Sequence, residues 1–372
     1  MPSQHSQRSR RCSAPLRGAL IALVVLPLTG LGQTTVSAWS LGNSDAADTT
    51  AYTPTQTFQN TTYNVTGFTA GTAKQVASTA DAAYVRRNTD SNANSTPNEA
   101  ADNNNRSAIW EVQGTSTTNL LGLNTSTMTL SNVLLTNNVL MGVNDVFSNG
   151  ANNTNNYESN IERLDFYWSA GINTSGDQGF AVFERGQAGV TGHDTFQIAV
   201  FTGWDTVNNK PTTYSGNAVE VAQAKYGSTN LDWDPTTAGA QTTFTNYRIL
   251  RFNSGDNLTP LDVNSSGNTN QGVAGVFISF ADLGIANGTK VYGYSLMATD
   301  ATNTVANLAD WTNTTYYPTT TADSTIGSLD LIGFNGRLFV PEPSTYGAIL
   351  LGATVTLLGW RRYRRGVSAP AV

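Results

Sequence analysis

Cysteine is all but missing from this chain: Cys12 is the only one in 372 residues. It stands ahead of the first apolar run, where a lipoprotein cysteine could not be. No internal disulfide can therefore staple the domain that follows, even in an oxidising compartment. Histidine is nearly as rare, with His5 and His193 alone. A zinc site or a Cys-His nucleophile is thus excluded by inventory. A Ser-His-Asp triad would have to use His193, and no Gly-x-Ser-x-Gly elbow accompanies it. Beside Asp194 and ahead of a strand, His193 reads as a satisfied loop histidine.

Charge is scarce too. Asp, Glu, Lys and Arg make up 12% of the chain, against about a quarter in ordinary domains. Thr, Asn, Ser and Gly take their place on the surface. Good helix formers are few, β-branched residues are many, and 34 glycines with frequent Asn-Gly, Ser-Gly and Asn-Thr pairs mark turns. This composition predicts an all-β, antiparallel fold. No repeat of fixed length is present, which excludes propellers and solenoids. Roughly ten to thirteen short strands suit a jelly-roll-like β-sandwich.

The two ends differ from the middle. Arg8, Arg10, Arg11 and Arg17 precede an apolar run from Gly18 to Leu31, and Val36-Ser37-Ala38 offers small residues for cleavage. Residues 1–38 thus read as a secretory signal helix, cut after Ala38 to leave Trp39 first. Cys-Ser-Ala after the paired arginines, in place of an apolar pair, favours the general secretion route over the twin-arginine one. At the other end, Tyr346 to Trp360 is fifteen residues without charge. As a single C-terminal transmembrane helix it would span about 22 Å, short of the usual length. Tyr346 and Trp360 suit the headgroup level, and Arg361, Arg362, Arg364 and Arg365 place the following tail, 366–372, in the cytoplasm. Between Trp39 and Val340 the chain holds 12 basic and 25 acidic side chains. That acidity argues against nucleic-acid binding and attracts divalent cations.

Pro341-Glu342-Pro343, the apolar stretch and the arginine cluster stand in that order at the C-terminus. Together they resemble the PEP-CTERM sorting signal of Gram-negative bacteria, a motif also labelled as the C-terminal domain of ice-binding proteins. The resemblance covers about 25 of 372 residues. It implies an exosortase-type membrane protease or transpeptidase that cuts near the motif and passes the protein to the cell surface or the exopolysaccharide matrix. The prolines should hold the motif extended, with a few residues between the last strand and the bilayer giving the enzyme access.

Within the domain, residues 39–106 show little apolar periodicity and are expected to be weakly ordered, with a polar loop from Asp90 to Arg106. A β-sandwich ectodomain is expected over 107–339. Its strands are predicted at Ala108–Gln113, Thr127–Leu135 and Val139–Phe147, then at Leu164–Trp168, Phe180–Arg185 and Phe196–Val200. Further strands follow at Ala218–Ala222, Tyr247–Phe252, Val273–Phe280 and Lys290–Met297, with a helical turn at Ser279–Ile285. Alternation of Leu164, Phe166 and Trp168 with Asp165 and Tyr167 predicts one buried face and one in water. From Ala301 to Thr325 the chain loosens, and Leu329–Phe339 reads as a last strand.

Paired carboxylates for glycoside hydrolysis need a separation of about 5 to 10 Å; Glu162, Asp165, Glu184 and Glu220 are the candidates. Arg163 and Arg185 beside Glu162 and Glu184 favour ordinary solvent-facing pairs. Calcium, the one cofactor that suits this acidity, could use loops at Asp232 and Asp234, Asp256, and Asp262, although none matches a known calcium-loop pattern. Trp204, Trp233, Trp311 and Tyr316 could stack on sugar rings. Ice binding would call for regular Thr-x-Thr ladders, and Thr319-Thr320-Thr321 is not one. The expectation is an exported surface protein of structural or adhesive role, without a catalytic motif. Its partners would be the sorting enzyme, the membrane through its C-terminal helix, and exopolysaccharide. The rival readings are a carbohydrate-binding module and a polysaccharide hydrolase.

Overall fold

The structure is a computed structural model that describes residues 33–43, 63–87, 108–112, 129–148, 161–187, 193–226, 243–244, 247–252, 258–262, 271–319, 321, 326–342, 354–356 and 358. The chain divides into two compact units, Met1–Gly30 and Leu31–Val372, and every described residue belongs to the second.

Strands β1 (Thr34–Thr35), β2 (Ala38–Asn43), β3 (Tyr63–Ala70), β4 (Thr72–Thr79), β5 (Ala82–Arg86) and β6 (Ala108–Val112) precede one short helix, α1 (Leu130–Leu135). Then come β7 (Met141–Asn144), β8 (Arg163–Asn173), β9 (Gly179–Gln187), β10 (Phe196–Asp205), β11 (Lys210–Tyr214) and β12 (Val219–Val221). A 3₁₀ turn at Gln223–Tyr226 leads to β13 (Thr243–Phe244), β14 (Tyr247–Phe252), β15 (Leu258–Asp262), β16 (Gln271–Ser279), β17 (Lys290–Met297) and β18 (Arg337–Pro341). The first sheet runs β1-β16-β9-β18-β4-β3-β2 with β13 also on β16; the second runs β11-β10-β17-β8-β5 with β12 on β10; the third runs β15-β14-β6-β7. The ladders that build them are antiparallel. The fold is therefore all-β and antiparallel, as the turn-rich, β-branched composition predicts.

Period-two alternation divides each central strand between two cores. On β9, Phe180 and Val182 join Leu164, Phe166 and Tyr294 of the second sheet in the largest apolar cluster. The Phe180 and Tyr294 ring centroids lie 4.3 Å apart. The alternate residues Ala181 and Phe183 pack on the opposite face with Phe68, Trp110, Phe334 and Phe339. Burying a large apolar side chain of this kind stabilises by about 1.5–3 kcal/mol, so the aromatic positions dominate both clusters.

Several segments depart from the sequence expectation. Residues 39–87, expected to be weakly ordered, supply β2 to β5 and bury Val65, Phe68, Ala83 and Val85. Their apolar residues are spaced among Thr, Gly and Ala, which dilutes the alternation without removing it. The expected strand at Thr127–Leu135 is helix α1 where described: the Thr129 side chain accepts from the Asn132 amide as an N-cap, and Leu130, Val133 and Leu134 are buried. That i, i+3, i+4 spacing is helical. The last strand is shorter than predicted. Leu329, Leu331, Ile332 and Phe334 are buried in a segment joined to the sheets by isolated bridges, Gly142 to Ile332 and Glu184 to Leu331. The polar loop expected from Asp90 to Arg106 lies outside the described residues.

The largest correction concerns β8. Asp165 is fully buried, not in water, because the outer face of the second sheet is roofed. Ala301, Leu308, Trp311 and Tyr317, from the segment expected to be loose, pack there on Ala199, Phe201, Tyr214 and Met297.

Candidate functional site

Under that roof sits an ion cluster. Arg86 on β5 faces Arg163 on β8, and Ser295 on β17 faces Asp165. Residues two apart on a strand share a face, so Arg163 and Asp165 point the same way. Asp165 accepts from Arg86 Nε at 2.6 Å, Arg163 Nε at 2.7 Å, Arg163 Nη2 at 3.1 Å and the Ser295 hydroxyl at 2.6 Å. Tyr214 and Ser295 hydroxyls are hydrogen-bonded at 2.8 Å. Of the other guanidinium nitrogens, Arg163 Nη1 donates to the Leu308 carbonyl and Arg86 Nη2 to that of Asn209, while Arg86 Nη1 is buried with no hydrogen-bond partner among the described residues. The Trp311 ring lies 4.9 Å from the Arg86 guanidinium and 5.0 Å from that of Arg163, within cation–π range. Burial alone would raise the Asp165 carboxyl, but the Arg163 and Arg86 charges outweigh it and hold it below its ordinary value. Asp165 is thus a saturated anion, with no lone pair left facing a substrate.

A second cluster forms around Glu184, which shares the face of Phe180 and Val182 on β9. Both Glu184 carboxyl oxygens lie 2.9 Å from the Asp194 amide nitrogen. His193 Nδ1 is 3.7 Å from Glu184 Oε2, beyond hydrogen-bond length, and the His193 ring stacks on Tyr226 at 5.3 Å. Burial, reinforced by the nearby Asp194 charge, pushes the Glu184 carboxyl well above the usual range. Burial pulls His193 down to about 4. Burial thus works against the charged form of both groups, the carboxylate of Glu184 and the imidazolium of His193. His193 is therefore a buried residue whose Nδ1 has no hydrogen-bond partner among the described residues, rather than the satisfied loop histidine expected. Next to it on the other face, Arg185 Nη2 contacts Asp330 Oδ2 at 2.5 Å and Asn144 Oδ1 at 2.7 Å.

The four predicted carboxylates are not brought together as an acid and a base. Asp165 and Glu184 lie on different sheets and are both fully buried. Glu162 is buried and lines a narrow recess with Asp300, Tyr317 and Thr321. Glu220, exposed and opposite Gln197, lines a separate polar cleft of about 270 Å³ with Thr299, Thr302 and Asn303. Gln197 Nε2 braces the cleft wall by donating to the Thr299 and Ala301 carbonyls at 2.9 and 3.0 Å.

Among the described residues no group of three or more His, Cys, Asp or Glu could hold a metal ion. Asp232, Asp234 and Asp256 lie outside them, and Asp262 ends β15, paired with Ile249. Of the aromatics, Trp311 is buried between the arginines, which withdraws it from sugar stacking. Trp204 is partly exposed and stacks on Tyr167 at 4.1 Å and 14°; Tyr316 is also partly exposed, and Trp233 lies outside the described residues.

Of the sorting residues, Pro341 ends β18 opposite Lys74, and the Glu342 amide donates to the Ala73 carbonyl at 3.1 Å. The first residue of the motif is thus part of the sheet, two residues beyond Phe339, where the last strand was expected to end. Ala38 opens β2, opposite Thr69. Pro343, Tyr346, Trp360, Arg361, Arg362, Arg364 and Arg365 lie outside the described residues. Among the described residues no helix is long and apolar enough to cross a membrane.

The sequence reading missed Arg86, Arg163, Ser295 and Tyr214 as one unit. The available signal was Arg163-Leu164-Asp165, opposite charges two apart in an otherwise apolar strand. No protein-family model, curated protein or solved structure matches the chain.

Proposed function

We propose that this chain is an exported protein of a Gram-negative envelope, a jelly-roll-like β-sandwich carried by a PEP-CTERM-type signal. In this reading an exosortase-type protease or transpeptidase removes the C-terminal helix and delivers the domain to the cell surface or exopolysaccharide matrix. There it serves a structural or adhesive role. The observation that carries the reading is the junction at β18: the last strand among the described residues ends at Pro341, so the Pro341-Glu342-Pro343 motif starts as that strand runs out. The withdrawal of Asp165 into an ion cluster fits a rigid scaffold better than a hydrolase.

The test is fractionation of cells carrying the full chain and a variant with Pro341, Glu342 and Pro343 all replaced by Ala. The native chain should reach the surface or medium without the segment from Tyr346 to Trp360, and the variant should stay in the inner membrane with its tail intact. Native protein held in the inner membrane with an intact tail overturns the reading.

A second reading, carbohydrate binding, is favoured by the polar cleft beside Glu220 and by the partly exposed Trp204 stack. A glycan array probed with and without calcium tests it, and absence of binding to any polysaccharide removes it.

A further inference from the structure

The expected signal cleavage after Ala38 would discard part of the folded domain. Thr34 and Thr35 form β1, paired with Phe277 and Val276 on β16. Val36 is 3% exposed and packs in the cluster that holds Phe68, Phe183 and Phe277. Its amide donates to the Gly275 carbonyl at 2.9 Å, and the Ser37 amide donates to that of Thr69 at 2.9 Å. Side chains hold the same segment: Gln33 Nε2 donates to the Glu220 carbonyl at 2.8 Å and the Thr35 hydroxyl to the Lys225 carbonyl at 2.7 Å. Gly275 is shaped to this contact, since a Cβ there would stand 3.2 Å from Val36 Cβ and closer still to the Phe183 ring. Loss of residues 33–38 would uncover apolar surface and leave the edge of β16 at Val276 and Phe277 without its partner, a template for unwanted pairing.

The compact unit that holds these contacts begins at Leu31. Immediately there, Gly30-Leu31-Gly32 repeats the small-x-small pattern that a signal peptidase reads. It also ends directly on the apolar run, whereas Ala38 lies beyond a polar stretch. A peptidase acting on the translocating chain meets both sites before folding. The packed residues indicate which product is native.

We propose that export processing hydrolyses the Gly32–Gln33 bond, so that the mature domain begins at Gln33 and keeps β1. Water adds across the peptide, leaving a carboxylate on Gly32 and a free α-amine on Gln33. This rests on the export reading above.

The test is to express the full chain in a Gram-negative host and to read the N-terminal peptide of the product by mass spectrometry. A start at Gln33, as the free amine or after cyclisation of its side chain with loss of ammonia, is the expected result. A start at Trp39, or at any other processed position, overturns the cleavage site while leaving export standing. A chain still beginning at Met1 overturns both. Paired variants give a second readout, because proline just after a scissile bond removes its N–H and constrains its backbone. Gln33→Pro should abolish processing and Trp39→Pro should leave it; the reverse pattern overturns the proposal.

Discussion

Arg86 and Arg163 face each other across adjacent strands and share a single carboxylate, that of Asp165. Like charges directly opposite in a sheet repel. Here the anion lies between them, and the excess positive charge is spread over the Trp311 ring and the Leu308 and Asn209 carbonyls. The cluster ties together β5, β8, β17 and the covering segment from Ala301 to Tyr317. It fixes the roof to the sheet.

Removing the anion should therefore be costly. Asp165→Asn keeps the shape but leaves two buried guanidiniums without a counter-charge, and breaking a buried pair in this way costs about 3–5 kcal/mol. Urea denaturation of the variant should show a loss of that size. A change below about 1 kcal/mol, the range of exposed pairs, would show that the cluster does not hold the roof.

Glu184 predicts the opposite pH behaviour. Asp165 has a folded-state value below its unfolded one, so its contribution is present above the ordinary carboxylate range and lost as pH falls through the depressed value. Glu184 has a folded-state value well above its unfolded one. Its contribution is complete below the ordinary glutamate range and declines as pH rises toward the elevated value. Glu184→Gln mimics the protonated form, so in mildly alkaline buffer the variant should be at least as stable as the native protein, with a flatter stability curve. Thermal melts across pH check this. A variant that is markedly less stable at alkaline pH would mean that Glu184 is needed as an anion.

His193 gives an independent check on the same pocket. Burial pulls its folded value down to about 4, below the unfolded value of about 6.5. It stays neutral until the pH approaches 4, and stability falls across that interval because the unfolded chain takes up the proton first. An NMR titration of its ring carbon-bound protons should show no inflection between pH 6 and 7. An ordinary midpoint there would place His193 in water rather than against Tyr226.

Much of the fold was legible, for identifiable reasons. Lys290–Met297 is a strand with the predicted bounds, because Val291, Tyr294 and Leu296 sit among turn residues on both sides. The strand at Phe180–Arg185 was readable from Phe180, Val182 and Phe183. What local pattern concealed was the second covered face. Asp165 among Leu164 and Phe166 looks like a solvent-facing residue until Trp311 and Tyr317, far along the chain, are known to close over it. The ion cluster spans β5, β8 and β17, and no local spacing brings Arg86 to Asp165. Val36 was read as part of a cleavage signal because small residues around it satisfy that pattern equally well. Its hydrogen bond to Gly275 on β16 and its place in the Phe68 cluster are long-range contacts that no local pattern shows.

The closing of β17 against both its neighbours depends on a residue without a side chain. Gly293 lies opposite Phe201 on β10 and Tyr167 on β8, at a register shift, with φ of +150°. A Cβ there would overlap the Phe166 carbonyl oxygen and stand 2.6 Å from the Phe201 ring. The backbone carbonyl cannot swing aside without breaking the β8 ladder, and Tyr294 next door is stacked on Phe166 at 4.8 Å. Gly293→Ala should therefore destabilise by about 1–3 kcal/mol or more, the range of overpacked cores. Gly216→Ala is the control: nothing lies within 4 Å of its Cβ position, so it should be neutral or gain up to about 1 kcal/mol from the stiffer unfolded chain. Chemical denaturation of both variants separates the cases. If Gly293→Ala unfolds at the same denaturant concentration as Gly216→Ala, the close approach of β17 to Phe166 and Phe201 is wrong.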